Sequence, residues 1–411
     1  MADHAQRLVR LLDELGRVTD EPGRLTRTFL SPAMERANLL IGGWMQAAGL
    51  TVREDDTGNL IGRLESATPG AKTLLLGSHL DTVRNAGRFD GALGVLLPIV
   101  ALAELRQRGV VLPFHVEILG FSEEEAVRFA GAYIGSKAYT GRLRATDLKL
   151  KDARGHTLRD VIESHSGRHF TAPKPTHRSN ELLGYLEVHI EQGPVLESKK
   201  LAVGVVSAIA SQTRGRLTFR GKAGHAGTTP MNLRRDALAG AAEFVLGAER
   251  LARSRPGLVA TVGTIQVPGG AANVIPGEVT LSLDVRHASD AACRSAVAAL
   301  LRQAQQIARR RQLACGWQST MQHAATPCSP ALTAQLACSV QAVQGKTLSL
   351  VSGAGHDAVI LAALTPVAML FVRCRGGLSH HPDEHAAPRD LAVALHVVVD
   401  FLQKLSAGKT R

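Results

Sequence analysis

Residues 73–95 read TLLLGSHLDTVRNAGRFDGALGV. Thr73–Leu76 is a short, mostly apolar run of the kind that forms a buried strand. A polar turn follows it, Ser78-His79-Leu80-Asp81. Past a glycine-flanked Asp90, a helical pattern runs over Ala92–Arg108 and stops at Gly109. Two further apolar runs, Phe114–Leu119 and Val367–Phe371, repeat the strand pattern. Strands alternating with helices predict an α/β domain with a mixed, mostly parallel sheet. In such a sheet, chemistry sits in the loops just past the strand C-termini. Ser78–Asp81 and Ser122–Glu125 both occupy that position.

Working outward, Gly184–Glu191 reads as another strand, with His189 and Glu191 near its end. The polar stretch Gly141–Asn180 reads as including a surface excursion. From about Gln212 the texture changes. Arg216–Arg220 alternates as a half-exposed strand does, Asp236–Arg253 reads as a helix, Leu258–Val267 and Val279–Arg286 as strands, and Asp290–Gln312 as a long basic helix. That order suits a small α+β domain inserted into the first. The expected division is 1–211 and 328–411 for the first domain and 212–327 for the insertion.

The 411 residues allow two or three domains. With 45% apolar and 20% charged residues the chain can bury a core, which excludes a disordered protein. Five cysteines without a Cys-x-x-Cys pair argue against a disulfide framework or a thiolate zinc site, and they fit a reducing cytosol. The N-terminus carries Leu8, Leu11, Leu12 and Leu15 at helical spacing rather than a signal peptide's apolar run. The richest apolar stretch, Gly91–Leu105, holds Pro98 and is too short to span a bilayer. A cytoplasmic protein without membrane contact is expected. A net charge of +12 makes an anionic polymer a candidate partner. No helix-turn-helix, aromatic platform or zinc-finger spacing supports nucleic acid, and Arg309–Arg311 and Arg250–Arg255 sit on helical patterns as solvated faces.

Several residues can carry chemistry, and each has a plainer reading beside it. His79 after a buried strand, with Asp81 two residues on, reads as a metal ligand with a partner that fixes its tautomer, or as a turn. Asp90 reads as a carboxylate bridging two metal ions, or as a helix N-cap. In Glu123-Glu124-Glu125 one Glu can bind a cation while a neighbour takes a proton from water; a solvated helix start explains the triplet equally well. Strand alternation puts Glu187, His189 and Glu191 on one face. His380 follows the last core strand in Gly377-Leu378-Ser379-His380-His381-Pro382-Asp383-Glu384. Such an imidazole–carboxylate set suits Zn, Mn, Co or Ni without selecting among them.

These segments, together with Val188–Pro194, Gly224–Met231, Asn273–Gly277, Asp284–His287 and Ser352–Ala358, resemble the hydantoinase/carbamoylase group of the M20 metallopeptidase family. The resemblance runs in order over nearly the whole chain. It implies a di-metal catalytic domain in which His79, Asp90, Glu125, His189 and His380 hold two divalent ions and Asp90 bridges them. It implies Glu124 as general base and Asp81 as the residue that orients His79. The inserted domain would be a lid and dimerisation domain carrying His225, Asn273 and Arg286 to the substrate, with His225 reaching across a homodimer. Gln192, Gln212 and Gly355 match further positions lining the site. The implied activity is hydrolysis of the ureido C–N bond of N-carbamoyl-L-amino acids or allantoate, with a dipeptidase or aminoacylase as the nearest alternative. Arg286 suits a substrate carboxylate because guanidinium binds it bidentately. Arg373–Gly377 stands where many relatives carry Pro-Ser-x-x-Gly, which bears on substrate preference.

Overall fold

The structure, a computed structural model, describes residues 2–407. The chain divides into two compact units, one made of the residues up to Ser207 together with those from Cys328 on, the other of Ala208–Pro327.

The first unit is an α/β fold on a mixed sheet. Its strands are β1 (Thr51–Glu54), β2 (Leu60–Leu64), β3 (Thr73–His79), β4 (His115–Phe121), β5 (Leu182–Ile190), β6 (Val203–Ile209), β7 (Ser349–Ser352) and β8 (Val367–Val372). They are ordered β1-β2-β4-β3-β5-β8-β6, with β7 also paired to β6. The four central strands are parallel, with His79 beside Phe121, Leu76 beside Leu186 and Phe371 beside His189. The flanking pairs β1–β2, β2–β4 and β8–β6 are antiparallel. Parallel neighbours end at the same edge of a sheet, so the C-termini of β3, β4, β5 and β8 open onto one set of loops.

Five helices matter for placing that edge: α1 (Ala2–Leu15), α2 (Pro32–Ala47), α3 (Ala92–Gln107), α4 (Pro330–Gln344) and α5 (Pro388–Ala407). α3 is apolar on every side, and this is why it can lie in the middle: α1 and α5 pack on its outer face while β3 and β5 take its inner one. It continues through Pro98, and among the described residues no helix is long and apolar enough to cross a membrane. Ser31 caps α2 by accepting the Met34 N–H at 3.2 Å, with Pro32 at the first helical position.

The polar stretch 141–180 includes exposed segments, as expected, and also the helix Leu158–Ser166, whose Leu158, Val161 and Ile162 join Phe29, Phe129, Ile134 and Phe170 in a small second core. A Thr157–Asp160 capping box starts that helix. One local expectation needs correction, in the second unit. Leu258–Val267 is not one strand but two short ones, Val259–Thr261 and Ile265–Gln266. The break is bridged by Ser282, whose hydroxyl accepts the N–H groups of Gly263 and Thr264 at 3.2 and 2.8 Å.

In the second unit, Ser211–Arg220 lies antiparallel between Glu278–His287 and Ala314–His323. Its residues alternate between buried and exposed, as a sheet with one wet face requires. The helices Ala237–Ser254 and Asp290–Arg310, capped by Asp236 and Ser289, cover the other face around Leu217, Phe219, Phe244, Leu281 and Leu300.

Candidate metal centre

His79 is the last residue of β3 and is buried. Its Nδ1 lies 3.0 Å from the backbone carbonyl of Asp81. A neutral ring donating from Nδ1 there would turn its Nε2 lone pair toward Asp90 Oδ1, 3.6 Å away. His189, near the end of β5, is built the same way: Nδ1 faces the Ile190 carbonyl at 2.9 Å and Nε2 lies 3.0 Å from Asp90 Oδ1. The carboxylate of Asp81 is 3.7 Å from His79 Nδ1, too far for a hydrogen bond. Its Oδ1 and Oδ2 instead accept the backbone N–H groups of Glu124 and Glu125 at 3.0 and 3.1 Å. Asp81 thus orients His79 through its main chain and holds the acidic loop with its side chain.

Asp90 is not the cap of α3. Gly91 takes that position without any side-chain capping bond, and its φ of 66° suits glycine. A Cβ there would collide with the His79 ring, so the close approach of the two loops also requires glycine. Asp90 points into the centre. Oδ2 accepts from Gln192 Nε2 and Ser379 Oγ, both at 3.1 Å, and lies 3.1 Å from His380 Nε2. Oδ1 is buried and has no hydrogen-bond partner among the described residues, and the same is true of His189 Nε2. When the Nδ1 proton of a neutral His189 is given to the Ile190 carbonyl, Nε2 and Asp90 Oδ1 turn their lone pairs to one point. A metal ligand pair presents that arrangement.

The acidic triplet is not a helix start. Glu123 and Ala126 sit at φ 50° and 55°, and the backbone there turns repeatedly. Glu123 faces away from the centre: its Oε1 accepts the N–H groups of Arg128 and Phe129 at 2.8 and 2.7 Å. Glu124 and Glu125 face His79. Glu125 Oε1 lies 3.4 Å from His380 Nε2, and His380 itself holds a φ of 56°. His381 turns outward toward Asp383. Positive φ at Glu123, Ala126, Gln192 and His380 concentrates backbone strain around this one centre.

The electrostatics follow from burial and crowding. Burial pushes Glu124 well above the usual carboxylate range, and Glu125, Asp357 and Asp81 add repulsion that His79 only partly offsets. Burial and the neighbouring Asp90 push Glu125 up to about 7 against the pull of His79 and His380. Burial opposes the ionised form of Asp90 too, but His189, His380 and His79 hold it well below that range. Three overlapping groups can hold a cation: His79, Asp90 and His189; His79, Glu124 and Glu125; and Asp90, Glu125 and His380. The donors are imidazole nitrogens and carboxylate oxygens, a set that fits divalent transition metals.

The remaining candidate residues fall in two places. Gln192 contacts Asp90, Ser379 and His380, as above. Gly355 packs under the Tyr133 hydroxyl, where any side chain would collide. Gln212, His225, Asn273 and Arg286 belong to the second unit. There Asp284 gathers Gln212 Nε2 at 2.8 Å, Arg214 Nε at 2.6 Å and Arg286 Nε at 2.9 Å. Burial raises the Asp284 carboxyl, but Arg286 and Arg214 outweigh it and bring it to about 2. Arg286 therefore has an ion-pair partner on its own strand. His225 accepts the Gly227 N–H at 3.1 Å, and the Asn273 carbonyl accepts the Ala226 N–H at 2.9 Å. Sequence reading left Ser379 and Glu384 without roles, although both lie in the segment around His380. It also left Glu187 unassigned, a buried carboxylate that accepts from Ser78 Oγ at 2.8 Å and the Ala358 N–H at 2.9 Å.

Residues 75–404 match the sequence profile of peptidase family M20/M25/M40. The chain is 40% identical to allantoate deiminase 2 of Glycine max, over 97% of this chain and 89% of that protein. It is 37% identical to the N-carbamoyl-L-amino acid amidohydrolase of Geobacillus stearothermophilus, over 98% and 99% of the two. Among solved structures, a hydantoinase/carbamoylase-family amidase from Burkholderia multivorans superposes with a TM-score of 0.91 at 32% identity, covering 98% of each chain.

Proposed function

The chain belongs to peptidase family M20/M25/M40, and from that premise we propose that it is a hydrolase cleaving the ureido C–N bond of a small ureido carboxylate, allantoate or an N-carbamoyl-L-amino acid. The full-length similarity to an allantoate deiminase and to an N-carbamoyl-L-amino acid amidohydrolase supports this substrate class. The observation that carries the reaction is the placing of the Glu124 carboxylate beside His79 and Glu125, on a backbone pinned by Asp81.

His79, Asp90, Glu125, His189 and His380 would hold two divalent ions, with Asp90 between them. Such ions, when bound, polarise a substrate carbonyl and acidify water. The protein's own part is proton management and orientation. Glu124 takes the proton of the attacking water and passes it to the leaving nitrogen. Asp81 fixes where Glu124 stands. Gln192 and Gly355 line the site. The second unit supplies Arg286 and Gln212 for the substrate carboxylate, and His225 and Asn273 for the oxyanion, and it provides a homodimer interface.

The test is a panel of allantoate, N-carbamoyl-β-alanine and several N-carbamoyl-L-amino acids, offered to protein reconstituted with Zn, Mn, Co or Ni and read by ammonia and amine release. Turnover of at least one ureido carboxylate is expected. Cleavage of dipeptides with no ureido substrate turned over would overturn the reading.

A further inference from the structure

We propose that Glu384 is a positioning residue for Asp90, clamping the Phe89–Asp90 backbone and, through Ser379, one oxygen of the Asp90 carboxylate. Glu384 is buried, 4% exposed, and stands 294 residues along the chain from Asp90. Its Oε1 accepts the N–H groups of both Phe89 and Asp90, at 3.0 and 3.1 Å. Its Oε2 faces Ser379 Oγ at 3.0 Å, and that same hydroxyl lies 3.1 Å from Asp90 Oδ2. Gln192 Nε2 closes the ring by reaching Asp90 Oδ2 at 3.1 Å and Ser379 Oγ at 3.2 Å. Gly87 makes room for this arrangement, since a Cβ at that position would collide with the Glu384 side chain. Held at its main chain and at Oδ2, Asp90 has its rotamer fixed with Oδ1 turned to His79 and His189. Partners outside the ligand set that orient a ligand in this way set metal affinity.

The chemistry of the clamp makes a specific demand. Glu384 must accept two N–H groups with one oxygen and meet the Ser379 hydroxyl with its other terminal atom. Glutamine can do both: its carbonyl oxygen replaces Oε1, and its amide donates to Ser379 Oγ, leaving that hydroxyl's proton for Asp90. Alanine can do neither, and aspartate is one methylene too short to do both.

The experiment is a Co2+ titration of metal-stripped wild type, Glu384→Gln and Glu384→Ala, followed by visible absorption, with thermal melts of each metal-free protein. The proposal rests on the reading of Asp90 as a ligand, and Co2+ binding by the wild type tests that without any turnover. Expected is a loss of about 10–100-fold in Co2+ affinity with altered ligand-field bands in Glu384→Ala. Glu384→Gln should keep the wild-type bands and an affinity within about fivefold of wild type. If Glu384→Ala does not fold, Glu384→Asp takes its place with the same expectation. Wild-type bands and affinity in the alanine or aspartate variant would overturn the clamp, as would a glutamine variant as weak as alanine. A lowered melting temperature with unchanged bands would also overturn it, since that is the mark of a merely structural residue. A wild type that binds no Co2+ would overturn the centre and the clamp together, whereas one that binds Co2+ but cleaves no ureido substrate would sink only the substrate assignment.

Discussion

The carboxylate of Asp81 holds the backbone of Glu124: Oδ1 accepts its N–H at 3.0 Å, and Oδ2 accepts the next N–H along, that of Glu125, at 3.1 Å. Asp81 itself is tied back to His79 through its carbonyl. One residue thus couples the β3 loop to the β4 loop. Asparagine at position 81 would keep one acceptor and turn an amide N–H toward a backbone N–H, while leaving the carbonyl contact to His79 intact. We expect Asp81→Asn to lower kcat by about 10–100-fold with metal content retained. Steady-state kinetics beside elemental analysis will check this. Loss of metal in that variant would instead assign the carboxylate to holding His79.

Glu124→Gln preserves shape and removes the proton acceptor. Turnover should fall by at least about a thousandfold while the protein still binds divalent metal. The two readouts are kcat under saturating substrate and metal stoichiometry. Near-wild-type rates would remove Glu124 from the role of base.

How far the sequence reveals this centre depends on the residue. His79 and His189 stand out because each lies at the end of an apolar strand, and Asp90 because it sits among glycines just ahead of the helical pattern; the parallel register of β3, β4, β5 and β8 carries the strand ends to one edge. The α/β class follows from the same runs. The division of labour within Glu123–Glu125 is not legible, since it turns on the positive φ of Glu123 and Ala126, which sends Glu123 away toward Arg128 and Phe129. Nor is the work of Glu384. Its partner Phe89 lies 295 residues away, and nothing in the spacing of His380-His381-Pro382-Asp383-Glu384 tells which backbone N–H groups it will meet. Leu258–Val267 reads as one strand because residues that favour strands, Val, Thr and Ile, run through most of it. In the fold it breaks at Gly263, where Ser282 accepts the N–H groups of Gly263 and Thr264.

Stripping the metal should cost stability as well as activity. Glu125 stands between Glu124 and Asp90, and the buried His189 Nε2 has no hydrogen-bond partner among the described residues, so a cation relieves both the repulsion and the unpartnered nitrogen. Dialysis against a chelator is expected to abolish turnover and to lower Tm. Adding back a divalent metal should restore both, with the gain in stability growing with metal concentration as mass action requires. A chelated protein with unchanged Tm and activity would count against the centre.

A different carboxylate makes a prediction about pH. Glu117, on β4, accepts from Arg63 at 2.8 Å, the Tyr139 hydroxyl at 2.7 Å and His177 Nε2 at 3.0 Å. Burial pushes this carboxyl up, but His177, Tyr139 and Arg63 outweigh it and bring it to about 2, from 4.5. A folded-state value below the unfolded one means the ionised form is what the fold stabilises. That stabilisation is complete above the unfolded value and is lost as pH falls through about 4.5 toward 2. Glu117→Gln should therefore be less stable than wild type by about 1–3 kcal/mol at pH 7. The gap should narrow as the pH drops and all but close near pH 2. Urea unfolding of both proteins across that range will measure it. A gap that stays constant with pH would show that the variant loses packing rather than the charge on Glu117.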